Sequence, residues 1–383
     1  MDLQLSDEHR QLRRVAREFT EDKIVPYAVE WDRDEEIDTS LVPALGEIGF
    51  LGLGIEESYG GSGGDMLAYC LVLEELARGD SAVRGIVSVS LGLVGKTIAK
   101  YGTEEQKQQW LPGLCAGQQI GCFGLTEPGT GSDAGSLTTT ARRDGEDWVI
   151  TGGKIFITNG TWADLALVFA RTGEQGPKGI TAFLVPTDSD GFTATEIRGK
   201  LGMRGQATAE LALDGVRVPD SARLGEQGKG FRIAMGALDR GRISVAAGCV
   251  GAAQGALDAS LRYAKEREQF GKPIAGFQLV QELLADMAVD TETARLLTWK
   301  AADLAERGEP FTTEASMAKL HASEASIRVT NNAVQVFGGY GYIDEFPAGK
   351  YLRDTRVTTL YEGTSQIQKL IIGRALTGIN AFT

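Results

Sequence analysis

The sequence predicts an α+β protein of more than one domain: an N-terminal helical domain over 1–120, a central antiparallel β-domain over 121–227, and a C-terminal helical domain over 228–383. Three observations predict it. Apolar residues recur at helical spacing at both ends of the chain, but fall into short β-branched runs in the middle. Gly, Asp and Pro punctuate those middle runs as turns between strands do. The 383 residues, 42% of them hydrophobic, are enough to fill a large core shared by two or three domains.

In the first region, Leu12, Val15, Ala16 and Phe19 repeat at helical spacing. This opening stretch mixes acidic with basic residues and lacks the unbroken apolar core of a signal peptide. No run in the chain reaches the ~18 apolar residues of a membrane span, so a soluble protein of the cytoplasm, or of the mitochondrial matrix as a mature form, is expected. EESYGGSGGD, at 56–65, reads as a glycine-rich connection between helices. A phosphate cradle would need a preceding strand, and none is predicted there. Leu71, Leu73 and Leu76 mark a further helix. Thr103 with Gln106 has the form of a capping box opening EEQKQQWLPGL, and Pro112 with Gly113 is expected to close that helix.

The middle region contains DWVITGGKIFITNG, DLALVFART, GITAFLVPT, FTATEI and AELALDGVRVP, the pattern of antiparallel strands in a small sandwich or barrel. From Gly228 onward, long segments rich in Ala, Leu, Glu and Arg return, with small residues suited to close helix packing. Internal repeats and low-complexity tracts are absent.

Composition narrows the function. A net charge of -13 argues against a surface that neutralises phosphate backbones, so nucleic acid is not an expected partner. Cys70, Cys115, Cys122 and Cys249 have no CxxC spacing and read as buried thiols in a reducing compartment. His9 and His321 are the two histidines, too few for a histidine-rich metal site and far apart for a serine–histidine pair.

Five stretches carry chemical potential. In TTLYEGTSQIQKLIIGRAL, Glu362 and Gly363 precede Thr364 and Ser365, either of which is a natural N-cap for the helix that follows. A carboxylate at that loop end could face a cleft, but read by itself it is more often an exposed loop acid. GCFGLTEPGTGSDAGS, at 121–136, presents backbone N–H groups and hydroxyls of the kind a polar cofactor needs, as does any turn-rich connection. In KIFITNG, Phe156 and Thr158 occupy alternate positions and face the same way. Arg267 and Gln269 precede Phe270 and Gly271 at a break in the helical pattern, where a guanidinium could hold a diphosphate. NNAVQVFGGYGY ends a helix in a Gly-Gly turn that lets backbone approach a ligand.

Taken together, TEPGTGSD, FITNG, REQFGKPI, QVFGGYGY and YEGTSQIQ resemble the acyl-CoA dehydrogenase family, in its order and spacing and across essentially the whole chain. The resemblance is to the short-chain and branched-chain type, with some likeness to glutaryl-CoA dehydrogenase. It implies that the C-terminal region is a four-helix bundle, that the protein is a homotetramer, and that FAD lies extended at a subunit interface. Phe123, Leu125, Thr126 and Ser132 would line flavin and substrate, and Phe156 and Thr158 would flank the isoalloxazine. Many relatives carry Trp where Phe156 stands. Arg267, Phe270, Gln278, Gln335, Gly338 and Gly339 would bind the neighbouring subunit's FAD, with Thr364 and Gln366 completing the cofactor site. Asp239, Arg242 and Gly363, with Ser132, would meet the CoA-thioester. No metal is implied.

The implied reaction is α,β-dehydrogenation of an acyl-CoA in β-oxidation, with Glu362 as base, flavin N5 as hydride acceptor and an electron-transferring flavoprotein as electron acceptor. An unaided carboxylate is too weak for the α-proton of a thioester, so a raised pKa for Glu362 and hydrogen bonds to the thioester carbonyl are expected. Some branches place the base in the helix matching LDRGRISV, but the matching residue here is Gly241. Arg84 falls where the glutaryl-CoA branch pairs an arginine with a distal carboxylate, and IIGRALTGINAFT also looks like that branch, but a solvated or structural arginine is the plainer reading of Arg84. Short-chain or short branched acyl-CoA is the first expectation and a dicarboxylic acyl-CoA the second; an acyl-CoA oxidase or another flavoenzyme on the same fold is the remaining alternative.

Overall fold

The protein is described over residues 4–381 by a computed structural model. Phe382 and Thr383, which close the IIGRALTGINAFT motif, lie outside the described residues.

The N-terminal helices are α1 (Asp7–Lys23), α2 (Ala28–Asp34), α3 (Leu41–Glu47), α4 (Met66–Gly79), α5 (Ser81–Val87), α6 (Lys96–Tyr101) and α7 (Glu104–Cys115). Ser6 caps α1 and Asp65 caps α4, each through a side-chain oxygen accepting an orphan N–H. α4 is buried along nearly its whole length and acts as the axis of this region. Its Glu75 carboxylate accepts from Arg13 at 2.8 Å, Arg17 at 3.0 Å and Arg78 at 2.9 Å, which ties α1 to it.

Between α5 and α6 the helix widens into a π-helical segment, Ser88–Gly95. The stretch Ser81–Tyr101 is long and apolar enough to cross a membrane, with a mean hydropathy of 1.4, but 89% of it is buried inside the fold. Its apolarity therefore serves the core. The capping box on α7 is formed in full, with Thr103 and Gln106 bonding each other's backbone N–H. The helix does not stop at Pro112 and Gly113, but runs on to Cys115. Proline within a helix costs roughly 3 kcal/mol, and the burial of Leu111, Leu114 and Cys115 supplies an opposing gain.

The central strands are β1 (Gly121–Gly124), β2 (Thr140–Asp144), β3 (Asp147–Thr158), β4 (Leu165–Arg171), β5 (Ile180–Pro186), β6 (Phe192–Glu196), β7 (Thr208–Pro219) and β8 (Arg223–Leu224). They form one eight-stranded sheet in the order β6-β7-β3-β2-β4-β5-β8, with β1 added beside β4. Most ladders are antiparallel, as expected, but β1 joins β4 in parallel and β2 touches β4 the same way. Every residue of β4 is buried, whereas β7 alternates inward and outward.

The remaining elements are α8 (Gly230–Glu266), a small hairpin of β9 (Glu268–Gln269) and β10 (Lys272–Pro273), α9 (Gln278–Glu306), α10 (Thr312–Phe337), α11 (Ala348–Thr355) and α12 (Ser365–Thr377). Small residues along α8 let it lie against α4: a Cβ on Gly251 would stand 2.1 Å from the Glu74 carbonyl oxygen. Phe270 and Gly271 both adopt positive φ, which turns the hairpin in two residues. Large apolar side chains remain exposed on this half, including Phe270 at 94%, Tyr342 at 89%, Leu376 at 75% and Leu279 at 74%.

Candidate active site

The loop before α12 is built to hold an unusual backbone. Glu362 has φ +52 and Gly363 φ +93, two successive left-handed residues that turn the chain into the helix. The left-handed region costs an ordinary residue about 1–2 kcal/mol and persists only where neighbours enforce it. Here Lys319 Nζ donates to the Gly363 carbonyl at 2.8 Å, and Gln368 Nε2 donates to the same carbonyl at 2.9 Å and to that of Glu362 at 3.2 Å. Ser365 Oγ donates to Glu324 at 2.6 Å. Thr364, rather than Ser365, is the N-cap, accepting from the Ile367 N–H.

This turn sends the Glu362 side chain inward, against α8. Its Oε2 is buried and has no hydrogen-bond partner among the described residues. A Cβ on Gly241 would lie 2.0 Å from that oxygen, so the space belongs to the carboxyl group only because position 241 has no side chain. Burial pushes the Glu362 pKa up to about 7, against the pull of the Arg84, Lys319 and Arg242 charges.

Arg84 is 3% exposed, not solvated on a helix surface. Its Nη2 donates to the Tyr361 hydroxyl at 2.7 Å, while its Nε is buried and unpartnered. Arg242 donates through Nη1 to Asp239 at 2.5 Å and also keeps a buried, unpartnered Nε. Asp239 accepts a second bond from Thr312 at 2.8 Å. Below them, Ser88 in the π-helical segment is 2.5 Å from Ser244 on α8, and the Tyr69 hydroxyl reaches Ser244 at 3.5 Å. Segments of π-helix are frequent at functional sites. A carboxyl group, two guanidinium groups and a hydroxyl cluster thus surround one interior region.

In the central sheet, Phe123 and Leu125 are buried, and Phe123 packs on Phe169 with ring centroids 4.9 Å apart. Their side chains belong to the core, leaving their backbone to meet any ligand. Thr126 is half-buried and Ser132 exposed on the loop after β1. That loop is closed by a buried ion pair: Glu127 accepts from Lys154 at 2.8 Å, from the Thr139 N–H at 2.9 Å and from Thr138 at 2.6 Å and 2.7 Å. Burial alone would raise the Glu127 pKa, but the Lys154 charge and these bonds hold it down at about 2. Lys154 is itself lowered by burial to about 8, and the four donors on Glu127 keep the pair ionised at neutral pH.

Phe156 is 66% exposed with φ +60, at a bulge where β3 loses register against β7. Ile157 beside it is buried and Thr158 half-buried, so Phe156 and Thr158 share the outward side.

A third group stands apart. Arg267, Phe270 and Gln278 are exposed around the β9–β10 hairpin, as are Gln335, Gly338 and Gly339 at the end of α10. Tyr263, Arg267, Gln269 and the Phe337–Tyr340 turn line a cavity of about 480 Å³, with the Arg267 guanidinium over the Tyr340 ring at 5.5 Å. Arg242 and the end of α8 at Glu266 are 24 positions apart, roughly 36 Å at 1.5 Å per residue. Gln366 is exposed on α12.

Sequence reasoning missed Lys319, Lys154 with Glu127, Tyr361, and the Ser88–Ser244 pair. The one legible signal is a lysine amid the small apolar face Ala315, Ala318 and Ala322, where an exposed charge is out of place.

Family models described as the N-terminal, middle and C-terminal domains of acyl-CoA dehydrogenase match residues 6–118, 122–216 and 228–377. A short-chain specific acyl-CoA dehydrogenase of mitochondria from Rattus norvegicus is 46% identical over 97% of this chain and 90% of its own length. The solved butyryl-CoA dehydrogenase from Megasphaera elsdenii superposes with a TM-score of 0.96 at 43% identity, covering 98% of this chain and 100% of that one. A glutaryl-CoA dehydrogenase from Mycobacterium smegmatis, solved in complex with FADH2, superposes at 0.95 with 38% identity, covering 99% and 97%. Fold and matches together define an oxidoreductase that dehydrogenates acyl-CoA thioesters. The chain belongs to the acyl-CoA dehydrogenase family of flavoproteins, whose three domains it carries along nearly its full length.

Proposed function

We propose that this protein oxidises a short-chain or short branched acyl-CoA to the trans-2-enoyl-CoA, with Glu362 as the base and FAD as the redox cofactor. The observation that carries this reading is the Glu362 carboxyl: buried, unpartnered at Oε2, and brought to about 7, where a base works best near neutral pH. The residues fit a flavin dinucleotide. Phe156 is an exposed aromatic in a strained bulge of β3 with Thr158 on the same outward side, and the loop that carries Thr126 and Ser132 meets β3 there, the Thr126 carbonyl accepting from the Ile155 N–H at 2.9 Å. At Gly338 and Gly339 a Cβ would meet nothing within 4 Å, leaving open backbone next to Arg267's cavity. When bound, FAD supplies the acceptor for the hydride leaving the β-carbon.

The chain's own residues do the rest. Glu362 takes the α-proton at its carboxylate, and the Arg242–Asp239 pair orients the thioester end of the substrate. Arg267, Phe270, Gln278, Gln335, Gly338 and Gly339 gather around the far end of α8, where Tyr263 stacks on Phe337, roughly 36 Å along the helix from Arg242, so a cofactor touching both groups would take them from different subunits. Exposed Phe270, Leu279, Tyr342 and Leu376 are the apolar surface such an assembly would cover, consistent with a homotetramer. An electron-transferring flavoprotein is the proposed oxidant of the reduced enzyme, in the cytoplasm or a mitochondrial matrix.

The test is anaerobic bleaching of the flavin by butyryl-, isobutyryl-, octanoyl- and glutaryl-CoA. Glu362→Gln is expected to abolish bleaching; a variant bleached at the wild-type rate overturns the base assignment. One observation favours a second reading. Arg84 is buried with a free Nε against Gly248 of α8 and its Nη2 on Tyr361, with the Ser88–Ser244 pair about one turn away on the same helices, an arrangement that suits a distal carboxylate better than a bare alkyl end. Fastest bleaching by glutaryl-CoA would select the dicarboxylic substrate.

A further inference from the structure

Lys319 has no task in the scheme above, yet it is among the largest fully buried side chains of the protein. Its ammonium makes one hydrogen bond among the described residues, to the Gly363 carbonyl directly after Glu362. Desolvating an ammonium costs several kcal/mol, and capping one carbonyl does not require a charge. Gln368, which is neutral, already bonds that same carbonyl. A charged side chain in this place calls for a charged group nearby that gains from it.

The surroundings supply one. The groups facing the Glu362 carboxyl are Arg84 from α5, Arg242 from α8 with its partner Asp239, Lys319 from α10, and the hydroxyls of Tyr69 and Tyr361. Around Lys319 stand Glu362, Arg242, Glu324 and the Cys249 thiol, which burial keeps protonated. Glu324 already accepts from Ser365, and Asp239 already holds Arg242 and Thr312. The carboxyl left for Lys319 is that of Glu362.

Resting on the reading of Glu362 as base, we propose that Lys319 is a positioning residue for it. Its bond to the Gly363 carbonyl holds the left-handed turn that aims Glu362 over Gly241, and its charge favours the carboxylate over the protonated form. The two roles separate by substitution. Lys319→Gln keeps a donor for the carbonyl and removes the charge; Lys319→Met removes both.

The experiment is stopped-flow, anaerobic flavin reduction across the neutral pH range, using whichever of butyryl- or glutaryl-CoA reduces the wild-type holoenzyme faster. For Lys319→Gln the apparent pKa of the reduction is expected about one unit higher, since an opposite charge nearby shifts a carboxyl by about 1–3 units. Its limiting rate at high pH should stay near that of the wild type. Lys319→Met should show the same shift and, in addition, a limiting rate lower by about tenfold or more as the turn loosens. A pH profile for Lys319→Gln that overlays the wild type overturns the proposal. So does a Gln variant that fails to fold or to hold FAD, because the lysine would then serve the fold and not the base. The Glu362→Gln enzyme, run in parallel, separates this from failure of the underlying reading: if it is reduced normally, the base is elsewhere and the role of Lys319 falls with it.

Discussion

Replacing Gly241 by alanine is the sharpest probe of how the carboxyl group is housed. The new Cβ would begin 2.0 Å from Glu362 Oε2, 2.9 Å from its Cδ and 3.0 Å from Leu93 Cδ2. Cβ contacts below 3.0 Å are essentially never seen, so the carboxyl must retreat by at least about 1 Å, whereas Leu93 need yield only slightly. A misplacement of about 1 Å can cost roughly 10²-fold in rate, or about 2.7 kcal/mol of barrier. The effect on stability has the opposite tendency. Alanine in place of glycine inside a helix gains up to about 1 kcal/mol, and the clash falls on the free end of a side chain, not on backbone. The expected variant therefore binds FAD, melts at or slightly above the wild-type temperature, and bleaches its flavin about a hundredfold more slowly. Single-turnover bleaching and a thermal melt measure both. A variant reduced at the wild-type rate would show that the carboxyl works from another position. A large drop in melting temperature would show that the clash reaches α8 itself.

Glu362, the Lys154–Glu127 pair and Thr364 each carry further expected outcomes. The rate of flavin reduction should rise with pH through about 7, because Glu362 accepts a proton only as the carboxylate. Since burial raises that pKa from 4.5, the group's contribution to apoprotein stability is complete below 4.5 and lost as pH climbs past about 7, which urea melts at several pH values would reveal. Lys154→Met leaves the Glu127 carboxylate buried without its charge partner and should cost about 3–5 kcal/mol in denaturant unfolding; the stability that Glu127 contributes in the wild type should be lost as pH falls from 4.5 toward 2. Thr364→Val removes the cap of α12 and should lower stability by about 1 kcal/mol, and also slow bleaching, because the cap adjoins the Glu362 turn.

Much of the fold was legible because its signals are short-range. The Thr103–Gln106 box and the Thr364 cap each close over three residues, so the participants are neighbours in sequence as well as in space. The break in the helical pattern at Phe270 and Gly271 was legible in the same way, but the hairpin that fills it was not. Pro112 was misjudged because its local cost is plain in the sequence and the burial of Leu111, Leu114 and Cys115 is not. The parallel seam of β1 with β4 was equally hidden, since β1 has four residues and no alternation to expose its direction.

At the site, the sequence by itself singled out the residues proposed for the chemistry: the YEGT glutamate, the LDRGR pair, and the polar loop at 126–132, in order along the chain. Only the tertiary structure decided their chemical state. Arg84 meets Tyr361 across 277 positions and Lys319 meets Gly363 across 44, distances over which no local pattern reports a contact. The raised pKa of Glu362 arises from that convergence, because it measures how much water and how many charges surround one carboxyl group. A side chain's identity is written at its own position, but its dielectric surroundings are assembled from the four helices packed around it and exist only once the chain has folded.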